Sequence, residues 1–152
     1  MSAAQPSRGQ IDPGLPDWAK SFAEKLLRAV DFHRWAGLEL VTLAPGRAEL
    51  AFAAEERLLV PGGYIHGGIL NGLLEPPGLL AMLGHMREDE TAMTLDIHVQ
   101  HLRPIAAGAR VGLIGRMLRR GRNVAFCECE ARINDQPCTI AHITKTIQTK
   151  AV

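Results

Sequence analysis

Two neighbouring features of this chain have residue types suited to catalysis: the tripeptide His66-Gly67-Gly68 and Glu75, a lone carboxylate in an otherwise apolar run. The tripeptide stands where a loop is expected to become a helix. A helix N-terminus offers unpaired N–H groups and positive dipole density, and glycine lets a ligand approach that backbone closely. Such a corner can hold the oxyanion that develops when a carbonyl is attacked; it equally suits a tight turn packed on a sheet. Glu75 follows Ile69, Leu70, Leu73 and Leu74 and precedes Leu79, Leu80 and Met82. A carboxylate among such residues is costly unless it is paired or faces a cavity. Burial would raise its pKa toward general-base use, a nearby helix terminus would oppose that shift, and a place on the helix's wet face is the plainer alternative.

Spacing constrains the pair. Gly67 and Glu75 are eight residues apart, which is roughly 12 Å along a continuous helix. A reacting carbon must lie about 3 Å from both oxyanion donor and attacking group. Either the chain bends sharply between them, or Gly67 of one subunit meets Glu75 of another across a symmetric dimer with two equivalent sites.

Other chemistries have little support. His98 and His101 are three apart on an expected strand and so face opposite sides. His33, His85 and His142 lack ligand spacing, and no metal site is expected. Cys127 and Cys129 share a strand face with Ala125, Ala131 and Ile133 and read as buried thiols. There is no Gly-x-Ser-x-Gly, P-loop or dinucleotide fingerprint. A formal net charge of +1 gives no global field for nucleic acid or anionic membrane. No apolar run reaches the roughly 18 residues that span a bilayer, and the N-terminus reads as carrying no signal peptide. With three cysteines and no export signal, reduced thiols and a cytoplasmic location are the expectation.

The elements that must position these residues follow from periodicity. At 152 residues, 47% hydrophobic and 22% charged, the chain suits one globular domain. Residues 1–16, rich in Pro and Gly, read as a flexible arm, and 17–150 as the domain. A helix is expected over 17–31, with Asp17 as N-cap and Trp18, Phe22, Leu26 and Val30 along one stripe. Strands are expected at 38–43 and 47–53, joined by Pro45-Gly46, then a loop at 54–65 and a buried helix at 69–86. Further strands are expected at 93–102, 111–118, about 125–133 and 139–148. Short turns between the last four make them antiparallel neighbours. The prediction is an α+β domain in which an antiparallel sheet of about six strands wraps a central helix, with an N-terminal helix added. Pro76-Pro77, directly after Glu75, removes N–H groups and disfavours α geometry at Glu75. The central helix should therefore kink or break here, with Pro76 or Pro77 starting a second piece through about His85 and Glu75 near that piece's N-terminus.

The run from Val60 through His66-Gly67-Gly68 to Glu75 resembles the signature of hotdog-fold acyl-CoA thioesterases of the phenylacetate-degradation (PaaI-like) branch, which place an acidic residue nine positions after the His. The segment Thr94 to Arg103-Pro104 resembles that family's next strand and its Leu-Arg-Pro ending, and Arg119-Arg120-Gly121-Arg122 resembles its basic turn. The match spans about residues 35–148. The resemblance implies a hotdog fold and hydrolysis of an acyl-CoA or aroyl-CoA to free acid and CoA, with no cofactor, in a homodimer or homotetramer. It implies Glu75 as nucleophile or general base, the Gly67 N–H as carbonyl polariser, His66 as orienter of the loop, and Thr94 beside the carboxylate. Gly68, Val60 and Leu79 would lie along the substrate, and Leu59, Leu74 and Met82 suggest an apolar pocket with Leu79. Arg119, Arg120 and Arg122 would meet CoA phosphates, since guanidinium pairs with phosphate bidentately; a solvated turn is the alternative. Arg103 is a weaker candidate for the same phosphates, with the strand end as its alternative role. Val60 departs from the family, which commonly has Asn or Gln there, and Pro76-Pro77 is a second departure. A hotdog enoyl-CoA hydratase or dehydratase using His66 or His98, and a catalytically inactive acyl-ligand-binding protein, are the rival readings.

Overall fold

The computed structural model describes residues 9–151, so the first eight residues of the expected arm lie outside the described residues. Of the remainder, Gln10–Ile11 forms a short strand, β1, that pairs in parallel with Thr42 and Leu43. Two helices follow, α1 (Asp17–Ala29) and α2 (Asp31–Ala36). Pro16, not Asp17, is the N-cap, and Asp17 opens the first turn, where a negative charge suits the helix dipole. The single expected helix ends early because Val30 is extended. α2 then ends on Gly37, whose φ of 70° suits a left-handed C-cap.

The strands β2 (Glu39–Ala44), β3 (Arg47–Ala53), β4 (Glu90–His101), β5 (Arg110–Arg120), β6 (Val124–Ile133) and β7 (Gln136–Thr149) supply the six expected strands, with β1 a seventh. The sheet order is β1-β2-β3-β5-β6-β7-β4, and every pairing apart from β1–β2 is antiparallel. One expectation fails here. β4 does not neighbour β5; it lies beyond β7 at the sheet's edge, so β7 is an interior strand. The 102–109 connection makes this possible because it is a crossover pinned by Ile65 N–H to Ile105 O (2.9 Å) and Ala54 N–H to Ala109 O (2.9 Å).

The central helix is two pieces, α3 (Gly67–Leu73) and α4 (Glu75–Met82), followed by a 3-10 turn at Leu83–His85. The break falls at Leu74, one residue earlier than expected. Leu74 keeps right-handed backbone angles, and Glu75 is the first residue of α4 rather than being expelled from helical geometry. Pro76 and Pro77 occupy the first turn, where their missing N–H groups would have had no helical partner. α4 packs against β5 closely enough that a Cβ on Gly115 would stand 2.2 Å from the Pro77 carbonyl oxygen; only glycine fits there. The inner face of β6, from Ala125 through Cys127 and Cys129 to Ala131, is buried, as is Gly78 on α4. The Cys127 thiol donates to Gly78 O at 3.5 Å. Burial raises the Cys127 pKa to about 11 and raises that of Cys129 also, so both pack as neutral apolar groups. No described helix is long and apolar enough to cross a membrane.

β4 contains the irregularity that matters most for the site. Its register with β7 shifts between Thr94 and Asp96. A bulge moves side chains to the opposite face. Ala92 before it and Ile97 and Val99 after it pack on the core, Thr94 stays exposed but aims its Oγ1 at Lys145, and Met93 and Leu95 point outward, 62% and 61% exposed.

Candidate active site

The helix start at His66 is built by that residue's own side chain. His66 is the N-cap, extended at φ −64°, ψ 124°, and its Nδ1 accepts from the Gly68 N–H at 3.0 Å. That hydrogen bond requires a lone pair on Nδ1 and places any ring proton on Nε2. His66 therefore orients the loop, and Gly68 is committed to the cap. A Cβ on Gly68 would stand 3.0 Å from the His66 ring. The Gly67 N–H has no partner among the described residues. His101 lies beside Gly67: a Cβ on Gly67 would lie 3.3 Å from His101 Nε2, and His101 Nδ1 sits 3.2 Å from Thr139 Oγ1. Gly67, Leu70, His101 and Arg103 line one groove. Val60, the departure upstream, is held by a turn in which its N–H donates to Tyr64 O at 2.8 Å.

Glu75 belongs to a second cluster. Its Oε2 accepts from Lys145 Nζ at 2.6 Å, and the same ammonium donates to Thr94 Oγ1 at 2.7 Å. Lys145 is 2% exposed, whereas the Glu75 side chain is 33% exposed. Oε1 has no partner among the described residues. One carboxylate oxygen is thus anchored, while the side chain as a whole stays one-third exposed. The buried ammonium is tolerable because its charge is paired and hydrogen-bonded. Register explains the meeting: Thr94 and Lys145 are direct cross-strand partners on β4 and β7, and both turn toward α4. One turn before Glu75, Asn71 Oδ1 is buried without a partner. An orphaned polar atom between Gly67 and Glu75 marks a polar strip along the helix.

Lys145 bridges Glu75 and Thr94, and sequence reasoning missed it. A signal was present. Ala141, Ile143, Lys145 and Ile147 alternate on β7, and all four are buried; a lysine in phase with core residues needs a buried partner. Gly67 and Glu75 do not sit at one point in the single chain, because nothing between α3 and α4 reverses the helix direction.

The basic cluster divides. Arg120 Nη2 donates to Glu90 Oε1 at 2.6 Å, and the Arg87 N–H donates to Glu90 Oε2 at 2.8 Å. Burial alone would raise the Glu90 pKa; the Arg87 N–H and the Arg120 guanidinium outweigh it and hold the carboxyl below its ordinary value. Arg120 is therefore occupied in locking the start of β4. Arg119 and Arg122 are exposed with no ion pair among the described residues, and Arg122 lines a groove together with Arg87, Arg120 and Thr146. Arg103 Nη1 donates to Pro137 O at 2.8 Å, fastening a strand end. Leu74 and Met82 are fully buried core residues, while Leu79 lines a cavity.

Arg120→Ala should lower unfolding free energy at neutral pH by about 1–3 kcal/mol, because Glu90 then stays buried with fewer partners. Glu90 binds its proton less tightly folded than unfolded, so its contribution is full above the ordinary carboxylate range and is lost as pH falls through the folded value. The gap between wild type and variant in urea unfolding should therefore narrow in acid. An equal gap at every pH would sever the effect from Glu90.

The chain matches the thioesterase superfamily over residues 62–140. Human acyl-coenzyme A thioesterase 13 is 26% identical to it over 102 residues, covering 66% of this chain and 72% of that protein. The crystal structure of a thioesterase from Haemophilus influenzae, 25% identical, superposes with a TM-score of 0.74 over 84% of this chain and 90% of the other. A variant of the phenylacetic acid degradation protein PaaI from Thermus thermophilus, 26% identical, gives 0.71 over 77% and 98%. With its central helix wrapped by an antiparallel sheet, this chain belongs to the thioesterase superfamily and has the hotdog fold of its PaaI-like branch.

Proposed function

We propose that this protein hydrolyses an acyl-CoA or aroyl-CoA thioester to the free acid and CoA, with Glu75 as the attacking group or general base. The observation that carries this reading is the Glu75 carboxylate, whose Oε2 is anchored by buried Lys145 and whose Oε1 has no partner among the described residues. As base, Oε1 takes a proton from water as the water oxygen bonds to the thioester carbon. The carbonyl oxygen becomes an oxyanion held by the Gly67 N–H. The C–S bond then breaks, and the CoA sulfur leaves with the proton from Glu75. As nucleophile, Oε1 would itself bond to the carbon, the C–S bond would break to release CoA thiolate, which takes a proton from water, and a further water would cleave the resulting anhydride. In a single turnover in ¹⁸O-water, label in Glu75 would establish the second route, with water attacking the anhydride at the Glu75 carboxyl carbon.

The oxyanion donor in this scheme comes from a second subunit, as the roughly 12 Å between Gly67 and Glu75 along the helix demands. β4 is suited to the contact. It is a 12-residue edge strand with a free row of backbone donors and acceptors, and it exposes Met93 and Leu95. Such an edge is a template for pairing with another copy. Arg119 and Arg122 are assigned to CoA phosphate. Replacing both with Ser should raise KM for CoA esters about tenfold with little change in kcat, measured beside Arg120→Ala; an unchanged KM would leave them as solvated turn residues.

The deciding experiment is a panel of acyl- and aroyl-CoA esters assayed by free-thiol release. Hydration of an enoyl-CoA without thiol release would replace this reading with a hydratase. Thermal stabilisation by CoA esters without turnover would replace it with a binding protein.

A further inference from the structure

Beside the Glu75 cluster lies a cavity of about 390 Å³ that the mechanism does not use. Its walls include Leu79 and Leu83 from the central helix region, Ala92 from β4, and Trp18 and Phe22 from α1. Leu79 follows Glu75 by one helical turn and shares its face. Ala92 precedes Thr94 by two residues, ahead of the β4 bulge, and shares Thr94's strand face. Through Leu79 and Ala92 the cavity lies next along α4 and β4 from the residues Glu75 and Thr94 that Lys145 bridges. Its far end is closed by α1. That helix buries Ala19 and Ala23 in the core and turns Trp18 and Phe22, four apart, over the opening.

We infer that this cavity takes the acyl tail of the substrate, and that Trp18 and Phe22 of α1 set the acyl length. This rests on the reading of Glu75 as the residue that attacks or activates water. The distance from Glu75 to Leu83 is roughly 12 Å by helical rise, the reach of an extended chain of about eight to ten carbons. Trp18, Phe22, Leu79, Leu83, Met86 and Ala92 form an apolar wall, beside which Ser21, Lys25, Glu88, Glu90, Thr91 and Lys150 also line the cavity; the apolar wall suits a medium-length, unbranched acyl group.

The test combines specificity with binding. Ala92→Phe and Leu79→Phe each fill the cavity and should lower the ratio of kcat/KM for decanoyl-CoA to that for butyryl-CoA at least about tenfold. Phe22→Ala opens the far end and should move the optimum to longer chains. Trp18 is the only tryptophan left in a Trp35→Phe background. Its emission should shift to the blue on titration with the non-hydrolysable decyl thioether of CoA and stay unchanged with the ethyl thioether. Glu75→Gln should keep this response while losing turnover, so failure of the hydrolysis and failure of the cavity assignment are read separately. Ratios within about twofold of wild type in both filling variants would overturn the inference. So would a decyl thioether that fails to bind, or that binds without altering Trp18.

Discussion

Glu75→Gln should lower kcat for acyl-CoA hydrolysis by about 10² to 10⁴, the usual span for a positioned acid–base group, while KM changes little. The amide is a controlled replacement. Its oxygen can still accept from Lys145 Nζ, now 2.6 Å from Oε2, so the buried ammonium keeps a partner and the fold should hold. What the amide cannot do is attack the carbonyl or take a proton from water. The same variant reports on subunit sharing when mixed with Gly67→Pro. Gly67 is the first residue of α3, and His66 before it is already extended, so proline fits that position while deleting the N–H. Each variant alone should be nearly inactive. If Gly67 of one subunit serves Glu75 of the other, a mixed dimer has one intact site and one doubly damaged site. Unfolding and refolding an equal mixture should then restore about a quarter of wild-type activity, since half of the dimers are mixed and each has one of two sites. Wild-type turnover by Glu75→Gln would remove Glu75 from the chemistry. No recovery in the refolded mixture would remove the shared site.

Lys145→Met should cost about 10- to 100-fold in kcat, again with KM nearly unchanged. Lys145 fixes one oxygen of the carboxylate and ties it to Thr94. Without it the carboxylate rotates, and a misplacement of about 1 Å is enough for a hundredfold loss. Methionine has similar length and fills the buried space, and Glu75, one-third exposed, keeps access to water. The variant should therefore unfold within a few degrees of wild type. Thr94→Val removes the weaker anchor and should lose less than Lys145→Met. A large drop in Tm with wild-type kcat per folded molecule would make Lys145 a structural residue only.

Much of the site was legible because its two halves are local. His66-Gly67-Gly68 announces a helix start through residue type alone, and the apolar run around Glu75 announces a carboxylate that needs a purpose. The expected break beside Pro76-Pro77 was displaced by one residue to Leu74, because first-turn prolines are compatible with helix. The arginines 119, 120 and 122 look alike in sequence. Only Glu90, buried 30 positions from Arg120 in the chain, separates the structural member from the free ones.

Local periodicity was therefore enough for the strands, the buried helix, the nine-residue His-to-Glu spacing and the conclusion that one helix cannot unite Gly67 with Glu75. These depend on rises and repeats that act within a few residues. The packing of distant segments supplied the rest. β4 passes to the far side of β7, which sets Thr94 against Lys145, and Met93 and Leu95 point outward at the β4 bulge. Lys145 meets Glu75 across 70 residues of chain, and α1 folds back to close the cavity beyond them. Such contacts are chosen by the balance of burial and pairing over the whole core, and no short window of sequence contains that balance.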